Sequence, residues 1–183
     1  GAAPSPAGDP RVLYVHVRDY PLTLGHKRNQ LIQLASGEYV AHFDDDNLYA
    51  PQYLPAMVEQ LRASRAQLVR LNSTYGWDLA ANRFWWHDDI AFRAETFMHL
   101  RGPLRAVAFD HMKCGEEGGI GAVCVVHDVD DTFGVFLHVE HGDNISSYSK
   151  VGDVWRRGER AGLEEIPNPE IGGLVSRHHR FFR

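Results

Sequence analysis

The chain has 183 residues, 44% of them hydrophobic and 23% charged, with a net charge of −5 at neutral pH. These proportions describe one soluble globular domain with room for a core, and they exclude a disordered or collagen-like polymer. The acidic balance argues against nucleic acid or anionic lipid as a partner, and no apolar run approaches the roughly 20 residues of a membrane-spanning helix.

Residues 1–10 are small and proline-rich and read as a flexible lead-in. Residues 12–17 form a short β-rich run, the pattern of a strand buried on both faces. From Thr23 to Ala35 the spacing of Leu24, Arg28, Leu31 and Ala35 predicts a helix, closed by Gly37. Residues 38–43 predict a second strand that runs directly into Asp44-Asp45-Asp46. Pro51 suits a helix start, and Tyr53, Leu54, Met57, Val58 and Leu61 give the following helix one apolar stripe. Residues 67–71 read as a strand, and residues 75–87 as an aromatic hairpin about a turn at 80–83. Two further strands are expected at 123–127 and 133–139, joined by the acidic turn 128–131, and a short helix at 151–161. The pattern is that of one α/β domain with a mixed sheet, its core at 11–150 and a helical or irregular extension at 151–183. Cys114 and Cys124 are too few for a disulfide framework or a cysteine-rich zinc site and read as buried thiols. No basic-then-apolar leader precedes them. The compartment stays open, with the cytoplasm favoured.

The acidic triplet sits at a strand's carboxyl end, the edge where open α/β sheets bind ligands. On a continuing strand Asp44 and Asp46 share one face and Asp45 takes the other. Two carboxylates on one face suit magnesium or manganese shared with substrate phosphates, while a solvated turn capping the next helix is the plainer alternative. Lys27 and Arg28 lie near a helix start, where backbone N–H groups favour anions, though they equally suit a solvated helix face.

The order Gly25-His26-Lys27-Arg28-Asn29, Gly37-Glu38-Tyr39, Asp44-Asp45-Asp46 and Asn47 to Pro51 closely resembles the nucleotide-sugar core of family 2 glycosyltransferases of the GT-A fold. The resemblance extends from about Arg11 to Ser149. It implies a GT-A-like α/β fold with a mixed, mainly parallel sheet flanked by helices. It also implies an inverting transfer of sugar from a nucleotide-diphosphate donor, a UDP-sugar first among the options, to a hydroxyl acceptor, assisted by manganese or magnesium. Asp46 is implied as the leading metal ligand with Asp44 and His141 beside it, and Lys27, Arg28, Asn29, Asp44 and Asp45 as donor-binding residues. Gly115-Glu116-Glu117 resembles the family's acidic base motif, with Glu117 the first choice of base and Glu116 the second. Residues 137–146 resemble the family's late His-Gly-x-Asn-x-Ser segment, which points to His141.

Relatives carry a first strand-helix-strand unit upstream. The proline-rich decapeptide in its place leads to the expectation of an N-terminally truncated fold, and of a catalytically impaired binding module as the alternative to an enzyme. Three glycines among residues 118–122 put the expected base on a loop rather than a helix. A zinc-hydrolase reading of His138-x-x-His141 is the weaker rival, because residues three apart on a strand face opposite sides. Trp77, Trp85 and Trp86 read first as core and second as surfaces for stacking a sugar ring.

Overall fold

A computed structural model describes residues 9, 11–16, 22–87, 94–104, 109–110, 119–120, 123–131, 134–141 and, for the backbone, 163–166. In chain order these form α1 (Leu24–Leu34), β1 (Tyr39–Ala41), β2 (Leu48–Tyr49), α2 (Tyr53–Ser64), β3 (Leu68–Leu71), β4 (Thr74–Asp78), β5 (Arg83–His87), β6 (Met98–Leu100), α3 (Arg101–Leu104), β7 (Val126–Val129), β8 (Phe136–Glu140) and β9 (Leu163–Ile166). A 3₁₀ turn at Ala94–Thr96 leads into β6.

The strands build a four-stranded sheet in the order β1-β6-β3-β7 and a five-stranded sheet in the order β2-β8-β4-β5-β9. Three stretches of chain pass from the first sheet to the second: β1 into β2, β3 into β4, and β7 into β8. Two of them run side by side, because β3 pairs with β7 and β4 with β8 in parallel. Their crossing is pinned where Asn72 N–H donates to the Val129 carbonyl at 2.8 Å and Asp131 N–H donates to Ser73 Oγ at 2.9 Å. The buried Asp131 carboxylate then accepts from the N–H groups of Val135 and Phe136. The third crossing, between β1 and β2, is the acidic triplet.

The sheets are mixed, as expected, but the other pairings described are antiparallel. The expected mainly parallel balance therefore does not hold among the described strands. The reason is local: β4 and β5 are joined by a tight turn with Asn82 at positive φ, which enforces antiparallel pairing, and β6 inserts antiparallel between β1 and β3. Strand β9 falls within the stretch read as a helical or irregular extension, and it pairs antiparallel with β5. The predicted helix at 151–161 lies outside the described residues.

Strand β3 is buried on both faces. Val69 and Leu71 face Tyr53, Met57 and Leu61 of α2, whereas Leu68 packs with Ile32 of α1, Phe97 and Phe109. Helix α1 starts at a capping threonine, since Thr23 Oγ1 accepts from His26 N–H at 3.3 Å. It buries Gly25, Arg28 and Ile32, so of the residues at the predicted spacing Arg28 faces inward, and it leaves Leu31 and Leu34 exposed. Residues 12–16, expected as a buried strand, have no regular structure, and Val12 to Val15 are exposed. β7 and β8 begin about three residues later than predicted, and Cys124 is half-buried with its thiol pKa pushed up by burial. Among the described residues no helix is long and apolar enough to cross a membrane.

Candidate functional site

β1 ends at Ala41, so the acidic triplet lies beyond the strand, with Asp45 and Asp46 in a turn. The alternation predicted for a continuing strand does not apply, and the carboxylates go to different partners. Asp44 Oδ1 accepts from Arg28 Nη2 at 3.0 Å, with the guanidinium almost wholly buried and 5.9 Å from the centre of the Phe109 ring. The Asp44 N–H donates to Tyr49 Oη at 3.1 Å, and the Tyr49 hydroxyl in turn donates to the Glu95 carbonyl at 3.0 Å. Burial raises the Tyr49 phenol pKa, which keeps that hydroxyl a donor. Asp44 is thus fixed from α1, β2 and the 3₁₀ turn together.

Asp46 turns the other way. Its Oδ2 lies 3.3 Å from His141 Nε2 at the end of β8, 95 residues along the chain, and both side chains are about one-third exposed. The approach is set by the neighbouring Asn47, whose Oδ1 accepts from Val139 N–H at 3.0 Å, and by the pairing of Leu48 with Leu137. Asp45 is exposed on the turn and Lys27 is exposed on α1. Asn29, expected at the donor, has both ends of its amide on the Phe109 backbone: Nδ2 donates to the carbonyl at 2.9 Å and Oδ1 accepts from the N–H at 2.7 Å. Glu116 and Glu117 lie outside the described residues.

A buried histidine pair underlies the triplet. The Nε2 atoms of His42 and His99 are 3.0 Å apart, and His99 Nδ1 is 3.1 Å from the Leu100 carbonyl. With His99 donating from Nδ1, its Nε2 is the acceptor and His42 the donor. Burial lowers both pKa values, and for His42 the proximity of His99 and of the Arg28 guanidinium lowers it further, so both rings are neutral at pH 7. The sequence offered little warning of this pair, because its members are 57 residues apart and each reads as an ordinary strand position. The turn of Arg28 inward was equally hidden, since a helix of eleven residues with arginine on it usually presents the charge to water.

Asp46 and His141 supply one hard oxygen and one imidazole nitrogen. Among the described residues no three His, Cys, Asp or Glu side chains converge as a metal cage. The pair fits magnesium or manganese only where a diphosphate and water complete the coordination, which is the usual way such ions are held. His138 is buried and lies beside Trp85, on the face of β8 opposite His141, so the two histidines do not form a zinc pair.

The family model described as Glycosyl transferase family 2 matches residues 3–114. The chain belongs to this family. The match carries α1, β1 and the acidic triplet of this family 2 chain and ends before Glu116, Glu117 and His141. Among solved structures, the crystal structure of S. aureus TarS 1-349 in complex with UDP-GlcNAc is similar, with 11% sequence identity and a TM-score of 0.50 over 72% of this chain. That likeness supports the GT-A-like α/β fold, and this family 2 chain spans 44% of the TarS chain. No curated protein matches the chain.

Proposed function

We propose that this chain carries the donor half of an inverting glycosyltransferase, which moves a sugar from a nucleotide diphosphate to a hydroxyl acceptor. The observation that carries the reading is the convergence of Asp46 and His141 from the two sheets at an open crossing, beside an Asp44 held rigidly from behind. Family membership supports the reaction class. The nucleotide sugar held by TarS makes a UDP-sugar the first donor to test.

In this reading Asp46 and His141 would hold a manganese or magnesium ion, and Asp45 and Lys27 would stand at the rim of the diphosphate site. Arg28 acts through Asp44 as a positioning residue. When bound, the cation neutralises the diphosphate as it leaves. Glu117, with Glu116 as second choice, accepts the acceptor hydroxyl proton as oxygen forms its bond to the anomeric carbon on the side opposite the departing diphosphate. The products are an inverted glycoside, a nucleoside diphosphate and a protonated carboxyl group.

Release of UDP from a panel of UDP-sugars in manganese is the test. Turnover that is lost with Asp46→Ala and with Glu117→Gln is the expected result. UDP binding without release from any UDP-sugar would replace the enzyme by a binding module, and absence of metal-dependent UDP binding at millimolar ligand would remove the donor site altogether.

A further inference from the structure

The β4–β5 hairpin separates its aromatic residues by face. In the hairpin register Tyr75 pairs with Trp86 and Trp77 with Phe84, so these four rings share one face, while Trp85 takes the other. Trp85 is buried and lies across Gly76, where even a methyl group would clash with its ring. On the opposite face Phe84 is buried, and Tyr75, Trp77 and Trp86 are half-buried. Trp77 and Phe84 stack nearly parallel, at 12° and 5.4 Å between centres, and Trp86 meets Tyr75 at 4.7 Å. Trp77 Nε1 donates to Asn82 Oδ1 at 3.3 Å, which fixes the indole plane and sets an amide at its rim.

This face is continuous with the candidate donor site. β4 runs parallel to β8 with Tyr75 opposite Leu137 and Trp77 opposite Val139, and Leu48 of β2 pairs with Leu137, so these residues share the aromatic face. His141 follows directly on the last residue of β8 and lies 3.3 Å from Asp46, which is separated from β2 by Asn47 alone. The turn of the hairpin is tied to that end of β8, because Leu79 N–H donates to the Glu140 carbonyl at 3.0 Å.

We infer that the half-buried rings of Tyr75, Trp77 and Trp86, backed by Phe84, form a carbohydrate subsite that seats a pyranose ring of the acceptor beside the donor. A pyranose presents a flat C–H face and a rim of hydroxyls. The chemistry it calls for is an aromatic plane with a polar group at the edge, which Trp77 and Asn82 provide together. The inference rests on the transferase reading and narrows its hydroxyl acceptor to a glycan.

The test follows the indole N–H signals of the full chain labelled with nitrogen-15 at tryptophan, assigned with Trp77→Phe, Trp85→Phe and Trp86→Phe. The probes are cellotetraose, chitotetraose and maltotetraose, each with and without UDP and manganese. The expected result is that at least one tetrasaccharide shifts Trp77 and Trp86 and leaves Trp85 in place. Trp77→Ala with Trp86→Ala should then weaken that binding about tenfold, the size of one good aromatic contact, and leave UDP affinity unchanged. Trp77→Phe, which keeps a ring, should lose less than Trp77→Ala, a graded response that separates loss of stacking from loss of folding. Tetrasaccharide binding in the absence of any UDP binding supports the subsite and removes the donor assignment instead. No shift of Trp77 or Trp86 with any tetrasaccharide at millimolar concentration would overturn the inference.

Discussion

Asp44 and Asp46 are two residues apart in one acidic run, yet the structure treats them as different groups. Asp44, itself about one-third exposed, is met by a buried guanidinium, and its own N–H donates to the half-buried Tyr49 hydroxyl, which is tied in turn to the Glu95 carbonyl. Asp46 is exposed to a similar degree, and its carboxylate lies 3.3 Å from the partly exposed His141 imidazole instead of a buried cation. The difference teaches that an acidic motif at the end of a strand need not be a set of equivalent ligands. A carboxylate that neutralises a buried cation stabilises the loop, and that fixed loop lets its neighbour keep a solvent-facing position suited to a ligand.

The largest expected effect comes from the closed side. Asp44→Ala removes the carboxylate paired with the buried Arg28 guanidinium and should lower the unfolding free energy by about 2 kcal/mol, read from urea denaturation. Adding Arg28→Met to that variant removes the buried charge and should restore a substantial part of the loss. If Asp44→Ala unfolds at the wild-type urea concentration, the ion pair does not hold the loop.

On the open side, Asp46→Ala should weaken manganese-dependent UDP binding by at least about 100-fold, above the usual cost of losing a residue that only orients a metal ligand. Its urea midpoint should stay near that of the wild type, since an ion pair between two side chains that are each about one-third exposed contributes little to folding. His141→Gln is expected to cost roughly tenfold in the same binding, because the glutamine amide replaces an imidazole nitrogen with a weaker ligand. Chelation of the metal should abolish the UDP binding of the wild type. Equal losses for Asp44 and Asp46 variants in both stability and UDP affinity would erase the contrast.

The smallest effect is a pH dependence from the layer beneath. His42 and His99 have folded-state pKa values below the ordinary 6.5, so the unfolded chain binds protons more readily. Their contribution is complete above that value and is lost as pH falls below it toward the folded pKa. The unfolding free energy should therefore fall as pH is lowered below 6.5, and His99→Gln should flatten this part of the urea-stability profile.

The helix at Thr23, the acidic run beyond β1 and the late histidine were legible in the sequence because each rests on local chemistry: a capping hydroxyl, an unbroken carboxylate cluster, a short motif. The way they combine was not. Strand alternation assigned Asp44 and Asp46 to one face, but β1 stops at Ala41 and the chain turns, a tertiary outcome fixed by Arg28, Tyr49 and Val139. The spacing of Leu24, Arg28, Leu31 and Ala35 gave the helix, and of these Arg28 is buried, with Gly25 and Ile32, while Leu31 is exposed. Asn29 read as a ligand because of its motif, and its amide is bonded to the Phe109 backbone, a partner 80 residues away that no local pattern reveals. The tryptophans were divided correctly only by the hairpin register, which sends Trp85 into the core and Trp77 and Trp86 to the opposite face.

Calorimetric titration of UDP into Asp46→Ala in the presence of manganese, beside the wild-type chain, is the most direct test of the division between a structural and a ligand-binding carboxylate. The account predicts metal-dependent heat for the wild type and at least about 100-fold weaker binding for a variant that unfolds at an unchanged urea concentration. Wild-type UDP affinity in Asp46→Ala would contradict it.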